Sequence, residues 1–112
     1  SVTIIWPGLI LHSKCINSEC EAFGSITMFN LKFGKFQIER LISKCLCPLC
    51  KQKSENARNL SYYNCKLKIE GEKSNDEQVK MYLIANDGKC HSFKDNGDED
   101  FTQWRFLEIT AS

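Results

Sequence analysis

The chain has 112 residues, 42% hydrophobic and 26% charged, which excludes a disordered tail and bounds the fold at one domain over residues 1–112. Its longest apolar run, Ile4 to Leu11, is broken by Pro7 and Gly8; it is far shorter than the roughly 20 residues of a membrane-spanning helix, so no membrane partner is expected. Net charge is only +1, but from Lys32 to Lys73 ten Lys/Arg stand against four Glu (+6), and from Ser74 onward four Lys/Arg stand against eight Asp/Glu (−4).

Taken in chain order, the pattern predicts strands far more than helices. No basic n-region precedes the first apolar run, so a signal peptide is not expected, and the start at Ser1 without methionine predicts a fragment of a longer chain. "SITMFNLKFGKFQI" alternates around Ile26, Met28, Leu31, Phe33, Phe36 and Ile38, with Gly34 as a turn or bulge. "IERLISK" predicts one short helix, closed off before Pro48. "YYNCKLKIEG" places Cys65, Leu67 and Ile69 on one strand face and Lys66, Lys68 and Glu70 on the other. "EGEKSNDEQ" reads as an exposed turn, and "QVKMYLIA" puts Val79, Met81 and Leu83 on one face. In "ANDGKC" the Asp87-Gly88 pair predicts a two-residue hairpin turn, because glycine tolerates positive φ. "KDNGDED" is a further polar turn without calcium-loop spacing, and "DFTQWRFLEIT" is the last strand. The expected fold is all-β: six or seven short antiparallel strands and at most one short helix.

Seven cysteines stand at 15, 20, 45, 47, 50, 65 and 90. Cys47-Pro48-Leu49-Cys50 is a C-x2-C knuckle, a turn tight enough for loop N–H groups to point at the thiolates, and Cys15 and Cys20 form a C-x4-C pair. Two short-spaced pairs separated by a stretch long enough for a hairpin predict a four-cysteine structural zinc site of Cys15, Cys20, Cys47 and Cys50. Cys45 also makes C-x4-C spacing with Cys50 and competes with Cys47, which the tighter knuckle favours. An odd cysteine count without a secretory signal argues against a disulfide framework, and a βαβ setting for a redox C-x-x-C is missing. Cys65, on an apolar strand face, is expected in the core, and Cys90 to be structural or partly exposed. His12 is a weaker ligand candidate. Cys90 and His91, being neighbours in a strand, point to opposite faces and make a poor catalytic pair. Phosphate loops, nucleophile elbows and His-Glu-x-x-His are all missing, so the chain is not expected to be an enzyme.

The C-x4-C pair, the strand ending in "FGKFQI", "CPLC", "YYNCKLKIEGEK" and "WRFLEIT" together resemble, in order and over roughly Leu9 to Thr110, a little-characterised cysteine-containing β-domain. That domain recurs C-terminal to ubiquitin-like folds in ubiquitin-related proteins of protists and some fungi. The resemblance implies bound zinc, with ligands at Cys15, Cys20, Cys47 and Cys50, and a ubiquitin-related neighbourhood. This chain departs from the family where "TMFN" stands in place of a tryptophan-bearing strand, and no ubiquitin fold lies within its 112 residues.

Two functional readings follow. The first is a non-catalytic protein-interaction module whose partner is ubiquitin or a ubiquitin-like protein, with Trp6, Tyr62 or Trp104 as contact residues if they form a surface patch. The alternative is a nucleic-acid-binding zinc domain using the basic 44–68 region, with Lys44, Lys51, Lys53, Arg58, Lys66 and Lys68 on phosphates and Tyr62 and Tyr63 for stacking. Reduced cysteines and zinc imply the cytoplasm or nucleus.

Overall fold

The computed structural model describes residues 4–41, 46–52, 54–55, 59–93 and 103–112. Among these are six strands and one helical turn: β1 (Gly8–Lys14), β2 (Ile26–Lys32), β3 (Gly34–Gln37), α1 (Ile38–Leu41), β4 (Asn59–Lys73), β5 (Gln78–Ser92) and β6 (Trp104–Ala111). The strand pairings are antiparallel throughout, so the chain is all-β as its alternation predicts. The strands are not uniformly short: β4 and β5 run for 15 residues each.

β4 is the spine. Its Cys65, Leu67 and Ile69 are buried and its Lys66 is exposed, as period-two patterning requires. One edge pairs with β5 along nearly its whole length. On the opposite edge β1 pairs with residues 59–63 and β6 with residues 67–73. β2 flanks β1 and β3 flanks β6, so β2 and β3 form one broken outer row joined at Phe33. The curled sheet wraps a core of Leu9, Leu11, Leu60, Tyr62, Leu67, Ile69, Leu107 and Ile109 with their neighbours. α1 is pinned beneath it by Ile38, which is buried, and by the Glu39 carboxylate, which accepts the Leu107 N–H at 3.0 Å.

Several expectations need correction. Asp87-Gly88 is not a hairpin turn. β5 continues in one direction through it, and the register jumps from Cys65↔Ala85 to Tyr63↔Cys90, so residues 86–89 form a bulge opposite Asn64. Glycine at 88 (φ 73) and Asn64 (φ 41) supply the left-handed conformations that such an excursion needs. The Asp87 carboxylate closes the bulge, bonding the Lys89 N–H at 3.1 Å and His91 Nε2 at 2.9 Å. In the β2–β3 row, Ile26 and Phe33 are exposed instead of buried; Phe33 stands at the break where the row passes from β1 to β6. Only the Ile38–Leu41 part of the expected helix lies within the described residues, and all of "KDNGDED" lies outside them.

The topology places the cysteine pairs together. The first pair lies in the β1–β2 connection and the second in the segment leading to β4. Because β1 sits between β2 and β4, both segments emerge at the same end of the sheet. Ser54 bridges to Cys15 and the Glu55 N–H donates to the Lys14 carbonyl at 2.9 Å, which continues the β1 ladder and draws the second pair onto the first.

Candidate metal centre

The four sulfurs of Cys15, Cys20, Cys47 and Cys50 lie within 4.8 Å of one another. Cys15 Sγ is 3.9 Å from Cys50 Sγ, and Cys20 Sγ is 3.9 Å from Cys47 Sγ. These separations exceed a disulfide's S–S bond of about 2.05 Å. They match the edge of about 3.8 Å in a tetrahedron of 2.3 Å zinc–sulfur bonds. The cluster can hold a metal ion.

The loops are built to present thiolates. Each cysteine receives the backbone N–H two residues on: Asn17 to Cys15, Ala22 to Cys20 at 3.4 Å, Leu49 to Cys47 at 3.4 Å, and Gln52 to Cys50. In the knuckle, the Cys47 carbonyl accepts the Lys51 N–H and the Cys47 N–H donates to the Gln52 carbonyl, both at 2.9 Å. This turn closes with Lys51 left-handed (φ 62). Cys15 and Cys47 are fully buried, Cys20 and Cys50 half-buried. Among the described residues, the other buried apolar residue of this cluster is Ala22.

Asn17 ties the two halves together, and sequence reasoning missed it. Its backbone N–H serves Cys15, its carbonyl accepts the Cys20 N–H at 3.0 Å, its Oδ1 accepts the Glu19 N–H at 3.1 Å, and its side-chain amide stands near enough to Cys50 to favour the thiolate there. An asparagine two residues past the first cysteine of a pair is the signal that could have found it. Asn17→Ala should speed metal loss to a competing chelator by about tenfold or more, the usual cost of removing an outer-sphere partner, with strand content unchanged by circular dichroism.

Protonation follows the same geometry. The Asn17 amide and the Gln52 N–H hold Cys50 down at about 6. At Cys15 the Asn17 N–H works toward the thiolate, but burial and the neighbouring thiols outweigh it and push the group up to about 12. Cys20 is also raised: the Ala22 N–H lowers it, while burial and the Cys50 thiol override that bond. In the metal-free protein these surroundings favour the thiolate at Cys50 and the protonated thiol at Cys15 and Cys20. A cation must displace those protons to bind. Calorimetry in buffers of different ionisation enthalpy should show proton release on metal uptake at pH 7, with affinity falling as pH falls.

The remaining expected residues divide cleanly. Cys65 is 6% exposed within the main core, and burial raises its thiol, so it is the core thiol expected. Cys90 is exposed. His12 does not join the sulfurs; its Nε2 lies 2.6 Å from Ser61 Oγ. Cys45 lies outside the described residues. Tyr62 is buried at 4% exposure, stacked on His91 and edge-on to Phe93. It therefore cannot join a surface patch or stack on a base. Trp104 is half-buried against the core beneath Lys73, whereas Trp6 is half-exposed with Lys32 over its ring. Of the basic region, Lys44, Lys53 and Arg58 lie outside the described residues, and Lys68 is paired with Glu70 at 3.0 Å.

No family model matches the chain, and no curated protein or solved structure matches it either.

Proposed function

We propose that the chain is a zinc-stabilised β-domain acting as a non-catalytic protein-interaction module, with ubiquitin or a ubiquitin-like protein as the candidate partner. The observation that carries the metal assignment is the set of four sulfurs, each served by the N–H of residue i+2. Four soft thiolates in a tetrahedral arrangement suit zinc. Four protein ligands would also fill the coordination sphere and leave no position for a reacting water, which supports a structural role over a catalytic one. When bound, the zinc would supply the cohesion that this small lobe otherwise lacks. A thiolate site of this kind belongs in a reducing compartment, cytoplasm or nucleus.

Support for an interaction role comes from the residues beside the ligands. Ile16, Phe23, Leu46 and Leu49 are large apolar side chains, all 44–53% exposed, on the loops that the metal would rigidify. The ubiquitin link rests on the sequence resemblance. Titrating isotopically labelled chain with ubiquitin should shift the amides of these loops, and Phe23→Ser should weaken the effect. No shifts at high micromolar ubiquitin would count against that partner. The nucleic-acid reading loses its buried stacking residue and one compensated lysine, and is not carried further.

A further inference from the structure

The free edge of β5 is fully specified by the hydrogen bonding of its neighbour. Lys66 exchanges both backbone bonds with Ser112, at 2.8 and 3.0 Å. Its N–H and C=O therefore face β6, and by alternation those of Cys65, Leu67, Ile69 and Gly71 face β5. Their partners there are Ala85, Leu83, Met81 and Val79. The N–H and C=O groups of Gln78, Lys80, Tyr82 and Ile84 consequently point away from the sheet, where no strand among the described residues meets them.

Over residues 78–85 this edge lacks the usual protection. Residues 78–85, QVKMYLIA, contain no proline and a single charge, Lys80, and the bulge begins only at residue 86. Natural edges are blunted by prolines, several charges or bulges within the strand. Tyr82 and Ile84 stand 64% and 61% exposed, while Met81 and Leu83 face the core yet are only half-covered. An added strand would bond the outward groups and complete the cover on both faces.

We propose that the occupant is β5 of a second copy of this chain, paired antiparallel about a two-fold axis at Leu83. An isologous contact needs a self-complementary edge, and this register provides one. Tyr82 then opposes Ile84 of the second copy in a hydrogen-bonded pair, an aromatic and β-branched match, and Leu83 meets Leu83. Lys80 falls opposite Asn86, beside the second copy's Asp87-bearing bulge, and the two Lys80 residues stand about 20 Å apart. The bulge at residues 86–89 ends the pairing at both extremities. So short a contact falls at the small end of interface sizes, below about 1,200 Å², and implies a reversible dimer populated at high micromolar concentration. The edge is remote in sequence from Cys15, Cys20, Cys47 and Cys50 and does not depend on the zinc reading; metal content measured on the same samples separates the two.

Sedimentation equilibrium tests the proposal. The weight-average mass should climb from 12.9 kDa toward twice that value with concentration. Ile84→Pro, which removes only an outward N–H and leaves the β4 ladder intact, should hold it at the monomer value. In a Cys90→Ser background, Leu83→Cys should crosslink two chains through a disulfide, because a non-hydrogen-bonded antiparallel pair brings its Cα atoms within about 4.5 Å. Val79→Cys should not. A wild-type chain that stays at 12.9 kDa at every concentration overturns the proposal. So does a Leu83→Cys chain that crosslinks no faster than Val79→Cys. Protection of the β5 amides only on adding a different protein would place another occupant there and would equally overturn it.

Discussion

Cys47→Ser should release the metal and melt one lobe of the molecule while leaving the sheet folded. The basis is the division of the interior into two separate clusters. One is the large apolar core of β1, β4, β6 and α1. The other consists of Cys15, Cys20, Cys47, Cys50 and Ala22. The second cluster buries one methyl group and four thiols, too little apolar surface at about 25 cal/mol per Å² to order the backbone of two loops. Structural zinc supplies about 10–16 kcal/mol of apparent binding energy in small peptides, enough to hold these loops when the proposed ion is bound. Serine, a poor zinc ligand, forfeits most of it. By hydrogen exchange, amides of residues 15–25 and 46–52 should lose protection, as they should on adding a strong chelator, while Leu67, Ile69 and Ile109 keep theirs. Equal protection of the loops in wild type and variant would mean that the cysteines are no more than buried thiols.

Gly8→Ala should cost about 3 kcal/mol or more, the largest penalty expected from adding a single methyl group. Gly8 has φ 117, a conformation that side chains avoid. A Cβ there would sit 2.3 Å from the carbonyl carbon and oxygen of Lys32. These are backbone atoms of the neighbouring strand and cannot swing aside, and Lys32 is itself left-handed (φ 64). The contact lies where the register between β1 and β2 shifts at Leu9 and Ile10, so relief would require parting the two strands from which the first cysteine pair hangs. Urea denaturation should show a lower midpoint. Gly24→Ala is the comparison, because φ is also positive (78) but no atom lies within 4 Å of the added carbon; it should cost clearly less.

Much of the fold was legible because the second half of the chain alternates strictly: Cys65, Leu67 and Ile69 inward, Lys66 outward, and Met81 and Leu83 toward the core. β1 was not read as a strand for the opposite reason. It lies between β2 and β4, four of its first four residues are buried, and "GLILHSK" therefore reads as an apolar run without period. The Asp87-Gly88 signal was real as local chemistry, since Gly88 does take a positive φ. What decided between hairpin and bulge was the length of β4, whose N-terminal part pairs with residues beyond the turn. The spacing of the cysteines pointed to the four whose sulfurs gather within 4.8 Å, because short-spaced pairs are local structures, while Cys45, the rival to Cys47, lies outside the described residues. The approach of Asn17 to Cys50 and the apolar residues beside the cysteines were not legible in that spacing, since these arise only when the two loops meet.

Native mass spectrometry of the chain purified without added metal, paired with a denaturing run, tests the metal centre most directly. The expected result is one zinc per chain, lost on denaturation, with every cysteine recovered as a free thiol. A metal-free native mass, short of two hydrogens for each sulfur–sulfur bridge, would contradict it and make these cysteines a disulfide framework.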